Sequence, residues 1–271
     1  MELLKEENIF SFKSQKQGLS VCVLAGVHGN EKDGVNAIKE LVKDFSLDRG
    51  EVTFILANQE AMNKNVRFVE ENLNRCFKEG LVSDSYEFKL AKELKSVLKD
   101  YDVCLDLHNS YNPHSEPFII CEKNAFSYIN SIDAKKVVSG FDTYEPGGTD
   151  YYMNLIGKIG ICVECGSIEE DGTLFAKKTI TDFLITTNNL EGTVNSFDKE
   201  YFDLIECFVP KGPFKLTKPF KDFEFVSKNY LIGVDDGVDV FAKDDSYVLF
   251  AKDVDEVNSL NKEAYLLAKK H

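Results

Sequence analysis

Val21-Cys22-Val23-Leu24-Ala25-Gly26-Val27-His28-Gly29-Asn30-Glu31 is the stretch that decides the fold. Residues 21–25 form an apolar run that reads as a buried strand, and Val35, Ile38, Leu41, Val42 and Phe45 follow with helical spacing. His28 and Glu31 therefore fall in a strand-to-helix loop. Gly26 and Gly29 permit a tight turn there, and a separation of three residues brings an imidazole and a carboxylate to one point. On these residues alone two readings stay open. His28 and Glu31 serve the helix terminus, Glu31 favouring its positive end, or they are two ligands of a metal ion that needs a third.

Outward from this stretch, residues 51–57 read as a second strand. Residues 63–79 are irregular and polar, and a loop of that length inside a compact region is usually functional. It carries Arg67 and the run Asn72-Leu73-Asn74-Arg75-Cys76-Phe77. Tyr86, Leu90, Leu94, Val97 and Leu98 predict a helix ending near Lys99-Asp100. Residues 103–107 are a buried strand with His108 at its carboxyl end, and residues 118–121 are another. Gly147-Gly148-Thr149-Asp150 turns into a helix through Leu155, residues 159–163 form a strand ending at Glu164, and an amphipathic helix runs to about residue 190.

The alternation predicts an α/β fold for residues 1–190, a mostly parallel open sheet with helices on both faces. Ligands of such sheets bind outside the carboxyl ends of the strands, where His28 with Glu31, His108 and Glu164 all stand. Past Glu191-Gly192, short apolar runs at 204–209, 223–226, 230–234, 238–241 and 247–251 alternate with turn signals. They predict a small all-β domain over residues 191–271 that caps the active site.

A formal net charge of -14 argues against nucleic acid and anionic membranes as partners, since both require a basic surface. No apolar run reaches the roughly 20 residues that span a bilayer, and the acidic start Met1-Glu2-Leu3-Leu4-Lys5-Glu6-Glu7 is unlike a secretory signal. The seven cysteines lie mostly in apolar runs and read as reduced thiols, so a soluble cytoplasmic protein is expected. Of three arginines, Arg67 and Arg75 share one short segment. In so acidic a chain, each placed cation is informative about a carboxylate-bearing substrate.

His28, Glu31 and His108 form the two-histidine, one-carboxylate set of hydrolytic zinc enzymes, expected to hold one ion. Manganese, iron and cobalt also accept these ligand types. Such an ion lowers the pKa of water and polarises a carbonyl. Glu164 is placed to take the proton and pass it to a leaving nitrogen. Asp106, two residues before His108 on the same sheet face, reads either as the group that orients that imidazole or as a buried structural carboxylate. Cys162 and Cys165 form a C-x-x-C, but on a strand their thiols point to opposite faces. Ser110 and Ser167 lack the context of a nucleophile elbow.

The order H-x-x-E (28–31), N-R (74–75), D-L-H-N (106–109) and a strand ending in Glu164 with Gly166 resembles the succinylglutamate desuccinylase and aspartoacylase family of the zinc carboxypeptidase-like superfamily. The resemblance implies zinc ligands His28, Glu31 and His108, with Glu164 as the catalytic glutamate. It implies that Arg67 stabilises the oxyanion, that Asn74 and Arg75 grip a substrate carboxylate, and that Tyr247 reaches back toward the site, although plain strand packing is the other reading of that tyrosine. A guanidinium suits both tasks, as a preset donor and as a fork for a carboxylate. The family commonly has an aspartate where this chain has Asn72, and aspartoacylases bring a further arginine that this chain, with none after Arg75, does not supply. The expected activity is zinc-dependent deacylation of an N-acyl amino acid other than N-acetylaspartate, or of a similar small amide bearing a carboxylate. A zinc carboxypeptidase acting on peptides and a non-catalytic metal-binding or ligand-sensing protein are the alternatives.

Overall fold

A computed structural model describes residues 3–255 and 263–271. The elements run β1 (Ile9–Lys13), β2 (Ser20–Ala25), α1 (Asp33–Leu41), β3 (Glu51–Leu56), α2 (Gln59–Lys64), α3 (Tyr86–Leu98) and β4 (Val103–Ser110). They continue with β5 (Phe118–Cys121), β6 (Lys136–Ser139), α4 (Phe141–Tyr144), α5 (Thr149–Leu155), β7 (Ile159–Ser167) and α6 (Thr173–Thr186). Strands β8 (Glu200–Phe208), β9 (Phe214–Leu216), β10 (Glu224–Val226), β11 (Leu231–Asp235), β12 (Val238–Phe241), β13 (Ser246–Leu249) and β14 (Tyr265–Lys270) complete the chain.

Eleven strands share one sheet in the order β1-β3-β2-β4-β7-β5-β6-β8-β14-β13-β10, and β12-β11-β9 form a second, smaller one. The segment β3-β2-β4-β7 is parallel, as its near-continuous apolar runs require of strands buried on both faces. Strand β5 enters antiparallel to β7, and the last four strands are antiparallel to one another. The C-terminal β strands thus divide: three make the separate antiparallel sheet and four lengthen the large one.

Period-two alternation sorts the side chains. Val21, Val23, Ala25, Leu105, Leu107, Ile161, Val163 and Cys165 face α1 and α6, where Ile38, Ile180 and Phe183 cover them. Cys22, Leu24, Ile55 and Cys104 face the other way, under Leu90, Leu94 and Leu98 of α3. Cys162 and Cys165 accordingly belong to opposite sides of the sheet. By the same alternation Asp106, His108 and Glu164 lie on the face away from α1 and α6, since Leu107 and Val163 point to the latter.

Strand β4 runs to Ser110, beyond the apolar residues that marked it, because pairing with β7 continues through His108↔Glu164. That register sets the imidazole of one strand beside the carboxyl of the next. The turn after β2 is equally constrained: Gly26 has φ +70°, and a Cβ on Gly29 would fall 2.1 Å from the carbonyl carbon of Ala61 and 2.3 Å from the nitrogen of Met62. Neither backbone atom can yield as a side-chain tip would. Replacing Gly29 with alanine is therefore expected to cost about 2–3 kcal/mol of stability by overpacking, read as a lowered urea midpoint with an unchanged slope.

Candidate metal and hydrolytic site

Three ligand atoms, one each from His28, Glu31 and His108, lie within 4.8 Å of one another, and all three residues are buried. Glu31 is the centre. Its Oε1 is 2.8 Å from Nδ1 of His28 and its Oε2 is 2.8 Å from Nδ1 of His108, while the two Nδ1 atoms stand 3.2 Å apart. Each ring is held from behind by its other nitrogen. Nε2 of His28 lies 2.9 Å from the amide oxygen of Asn72, and Nε2 of His108 lies 3.0 Å from Oδ2 of Asp106. With Nε2 engaged by Asn72 or Asp106, each ring turns its Nδ1 toward the other ring and Glu31, the side from which a metal would be ligated. Thr149 in turn donates to Asp106 at 2.5 Å.

The electrostatics agree with a site built for one cation. Burial, and then Arg67, push His28 down to about 4. Burial pushes His108 down as well, but Asp106 and Glu31 outweigh it and hold the ring well above the ordinary value. Glu31 is held well below the usual carboxylate range, the two imidazoles outweighing its burial. The two Nδ1 atoms and the Glu31 carboxylate face one another, an arrangement that favours positive charge at the cluster. The donor set, two imidazoles and a carboxylate, suits a divalent ion of the zinc type.

Glu164 is 7% exposed, and its Oε2 has no hydrogen-bond partner. Burial pushes its carboxyl up to about 8; His108 and Arg67 pull down, Glu31 and Asp222 push up. Beside the cluster, then, is a carboxyl group with a free oxygen and a value near neutrality, where proton transfer in both directions is efficient.

Arg67 donates from Nη1 to Oε1 of Glu31 at 2.8 Å, and its guanidinium lies 5.0 Å from the centre of the Tyr111 ring. The amide of Asn74 is 3.3 Å from Nε2 of His108, and its Oδ1 is buried without a partner. Arg75, next along the chain, pairs with Glu145 and lies 3.8 Å from Glu263, so its charge is already met by carboxylates. Tyr247 is placed in the C-terminal strands, its ring 5.1 Å from that of Phe202 and 5.5 Å from that of Phe225, which is strand packing. His114 is exposed and pairs with Glu170. A surface cavity of about 630 Å³ lined by Tyr144, Ile205, Cys207 and Leu267 includes none of the cluster's residues.

The model of the succinylglutamate desuccinylase/aspartoacylase catalytic domain matches residues 17–192. The chain belongs to this family. Among its relatives, an N-acyl-aromatic-L-amino acid amidohydrolase (carboxylate-forming) of Xenopus tropicalis is 30% identical over 166 residues, 54% of each chain. The Xenopus laevis protein of the same name is 28% identical over 78% of each chain. The chain thus spans about half the length of the first of these relatives. A solved succinylglutamate desuccinylase from Vibrio cholerae superposes with a TM-score of 0.82, covering 97% of this chain and 85% of that one at 16% identity, a likeness of fold.

Two features of this family member are not apparent from its motifs. Asn72, where the family commonly has aspartate, is the acceptor that orients His28, and it also caps Asn74. A neutral acceptor is enough for a neutral imidazole. Glu87, on α3 and 0% exposed, accepts hydrogen bonds from the backbone N–H groups of Val69 (2.6 Å), Glu70 (3.1 Å) and Glu71 (3.2 Å). It gives shape to the loop that carries Arg67 and Asn72. Its only sequence signal is an acidic residue in the first turn of a helix that follows a long polar loop.

Glu87→Gln puts an amide donor against those N–H groups. It should cost about 1–3 kcal/mol and accelerate hydrogen exchange at residues 69–71 above that of the core strands. A second expectation concerns pH. The folded value of Glu164 lies above its unfolded one, so the folded chain holds an extra proton between them and loses stability as pH rises from about 4.5 to about 8. In metal-free protein, Glu164→Gln should raise the thermal midpoint at about pH 8.5 and leave it unchanged near pH 4, where both states are protonated. An equal gain at both pH values would trace the effect to packing instead.

Proposed function

We propose that this protein is a zinc-dependent amidohydrolase that removes the acyl group from an N-acyl amino acid, or from a similar small amide bearing a carboxylate. The observation that carries this reading is the convergence of His28, Glu31 and His108 on one point beside the unpartnered oxygen of buried Glu164. Relatives named as N-acyl-aromatic-L-amino acid amidohydrolases and as a probable aspartoacylase support the reaction class.

A single zinc held by His28, Glu31 and His108 would supply Lewis-acid polarisation of the amide carbonyl and a water of lowered pKa. Glu164 takes a proton from the attacking water onto its free oxygen and returns it to the leaving nitrogen, for which a carboxyl near neutrality is suited. Arg67 donates to the oxygen of the scissile carbonyl as negative charge develops there. Asn72 and Asp106 keep the imidazoles in the ligating tautomer.

Asn74 and Arg75 take the substrate carboxylate, which has to replace Glu145 on the guanidinium. With no arginine after Arg75, a second acidic group on the substrate has no placed partner, so N-acetylaspartate should be a poor substrate. Residues 191–271 are read as the part that covers the mouth of the site, excluding long peptides. Among the described residues no helix is long and apolar enough to cross a membrane; the cytoplasm is the location proposed for this activity.

The test is a panel of N-acyl amino acids, dipeptides and longer peptides. Zinc-loaded protein should hydrolyse members of the first group, chelation should abolish turnover, and Glu164→Ala should lower kcat by about 10²–10⁴-fold. Faster cleavage of peptides than of N-acyl amino acids would assign a carboxypeptidase. Zinc binding with no amide cut would assign a metal-binding protein without turnover.

A further inference from the structure

One carboxylate that makes no hydrogen bond to the metal-ligand cluster, Asp222 in the turn ahead of β10, accepts four hydrogen bonds. Oδ2 of Asp222 accepts from the hydroxyls of Ser110 and Ser115, both at 2.7 Å. Oδ1 accepts from Nδ2 of Asn112 at 2.6 Å and from the backbone N–H of Phe250 at 2.8 Å. Three of these four donors come from the end of β4, the strand carrying His108, and the loop that follows it, and all three of their residues are buried. Asp222 itself lies more than a hundred residues later, ahead of β10.

Between two of those donors stands Tyr111, which is 46% exposed. Its ring lies against the guanidinium of Arg67, and its hydroxyl accepts from the side-chain amide of Asn30. Arg67 then reaches Glu31. An exposed aromatic ring holds a cation in one place only if its own backbone is held, and that hold comes from Ser110, Asn112 and Ser115 on Asp222. The contact of ring and guanidinium adds attraction through the π face.

We propose that Asp222 is a positioning residue of the hydrolytic site: through residues 110–115 it fixes the ring of Tyr111, and through that ring the guanidinium of Arg67. Asp222 touches no reacting atom. Its role makes the C-terminal segment a working part of a site whose other groups all come from the first 164 residues. The inference rests on the deacylase reading for the task of Arg67, but not for the hold on the loop.

The test combines Asp222→Asn, Tyr111→Ala, Tyr111→Phe and the double variant Asp222→Asn/Tyr111→Ala, in zinc-loaded full-length protein on the best N-acyl amino acid of the panel. Asp222→Asn turns one acceptor into a donor. It should speed hydrogen exchange at residues 110–115 selectively and lower kcat about tenfold with little change in KM, as misplacement of an oxyanion donor does. Tyr111→Ala should lower kcat by a similar factor, Tyr111→Phe should retain most of it, and the double variant should be no worse than the weaker single.

Unchanged kcat in Asp222→Asn with a loosened loop would overturn the proposal, as would losses that multiply in the double variant or a loop whose exchange does not change. If Asp222→Asn does not fold, Asn112→Ala and Ser115→Ala each remove one donor and face the same criteria. Should the native protein cut nothing in the panel, the deacylase reading fails by itself, while the exchange measurement still decides whether Asp222 holds the loop.

Discussion

Two imidazole nitrogens held 3.2 Å apart against a single carboxylate, all of them buried, are the constraint on which the rest of the structure depends. Polar groups removed from water are costly unless partnered, and here each partner faces outward from the cluster: Asn72 behind one ring, Asp106 behind the other, Arg67 and the backbone N–H of Asn109 on Glu31. The donors that remain point at one another. The fold places them so by the ends of β2 and β4, while β7 adds Glu164 in register with His108.

Around this centre the chain uses its abundant carboxylates as loop anchors. Glu87 gathers three successive backbone N–H groups, Asp222 gathers the side chains of Ser110, Asn112 and Ser115, and Asp33 accepts from the amide of Asn109 and from the N–H of Gly172. A carboxylate is an acceptor only, with room for several donors, which suits it to order irregular backbone where no sheet or helix is available. In a chain with a net charge of -14, some of the acidity is therefore internal construction rather than solvated surface.

Much of this could be read in the sequence, and for identifiable reasons. The strands β2, β4 and β7 are apolar on both faces and announced themselves, and His28, Glu31, His108 and Glu164 followed as polar residues at their ends. Other parts were silent. Strand β1 is a half-exposed edge with weak alternation, and β6 is only four residues long. The anchoring roles of Glu87 and Asp222 depend on partners 16 or more residues away, which no local pattern reports. Arg75 is informative in the opposite sense: the rarity of arginine singled it out, but only the fold reveals Glu145 and Glu263 around it.

The order of the large sheet places its continuity in a single strand from late in the sequence. Strand β14, at residues 265–270, pairs on one side with β8 and on the other with β13. Without it, β8 would present an open hydrogen-bonding edge, and β13 with β10 would lose its pairing to the rest of the large sheet. Such an unpaired edge invites intermolecular pairing. Six residues, 265–270, are therefore the seam on which the continuity of the eleven-stranded sheet turns.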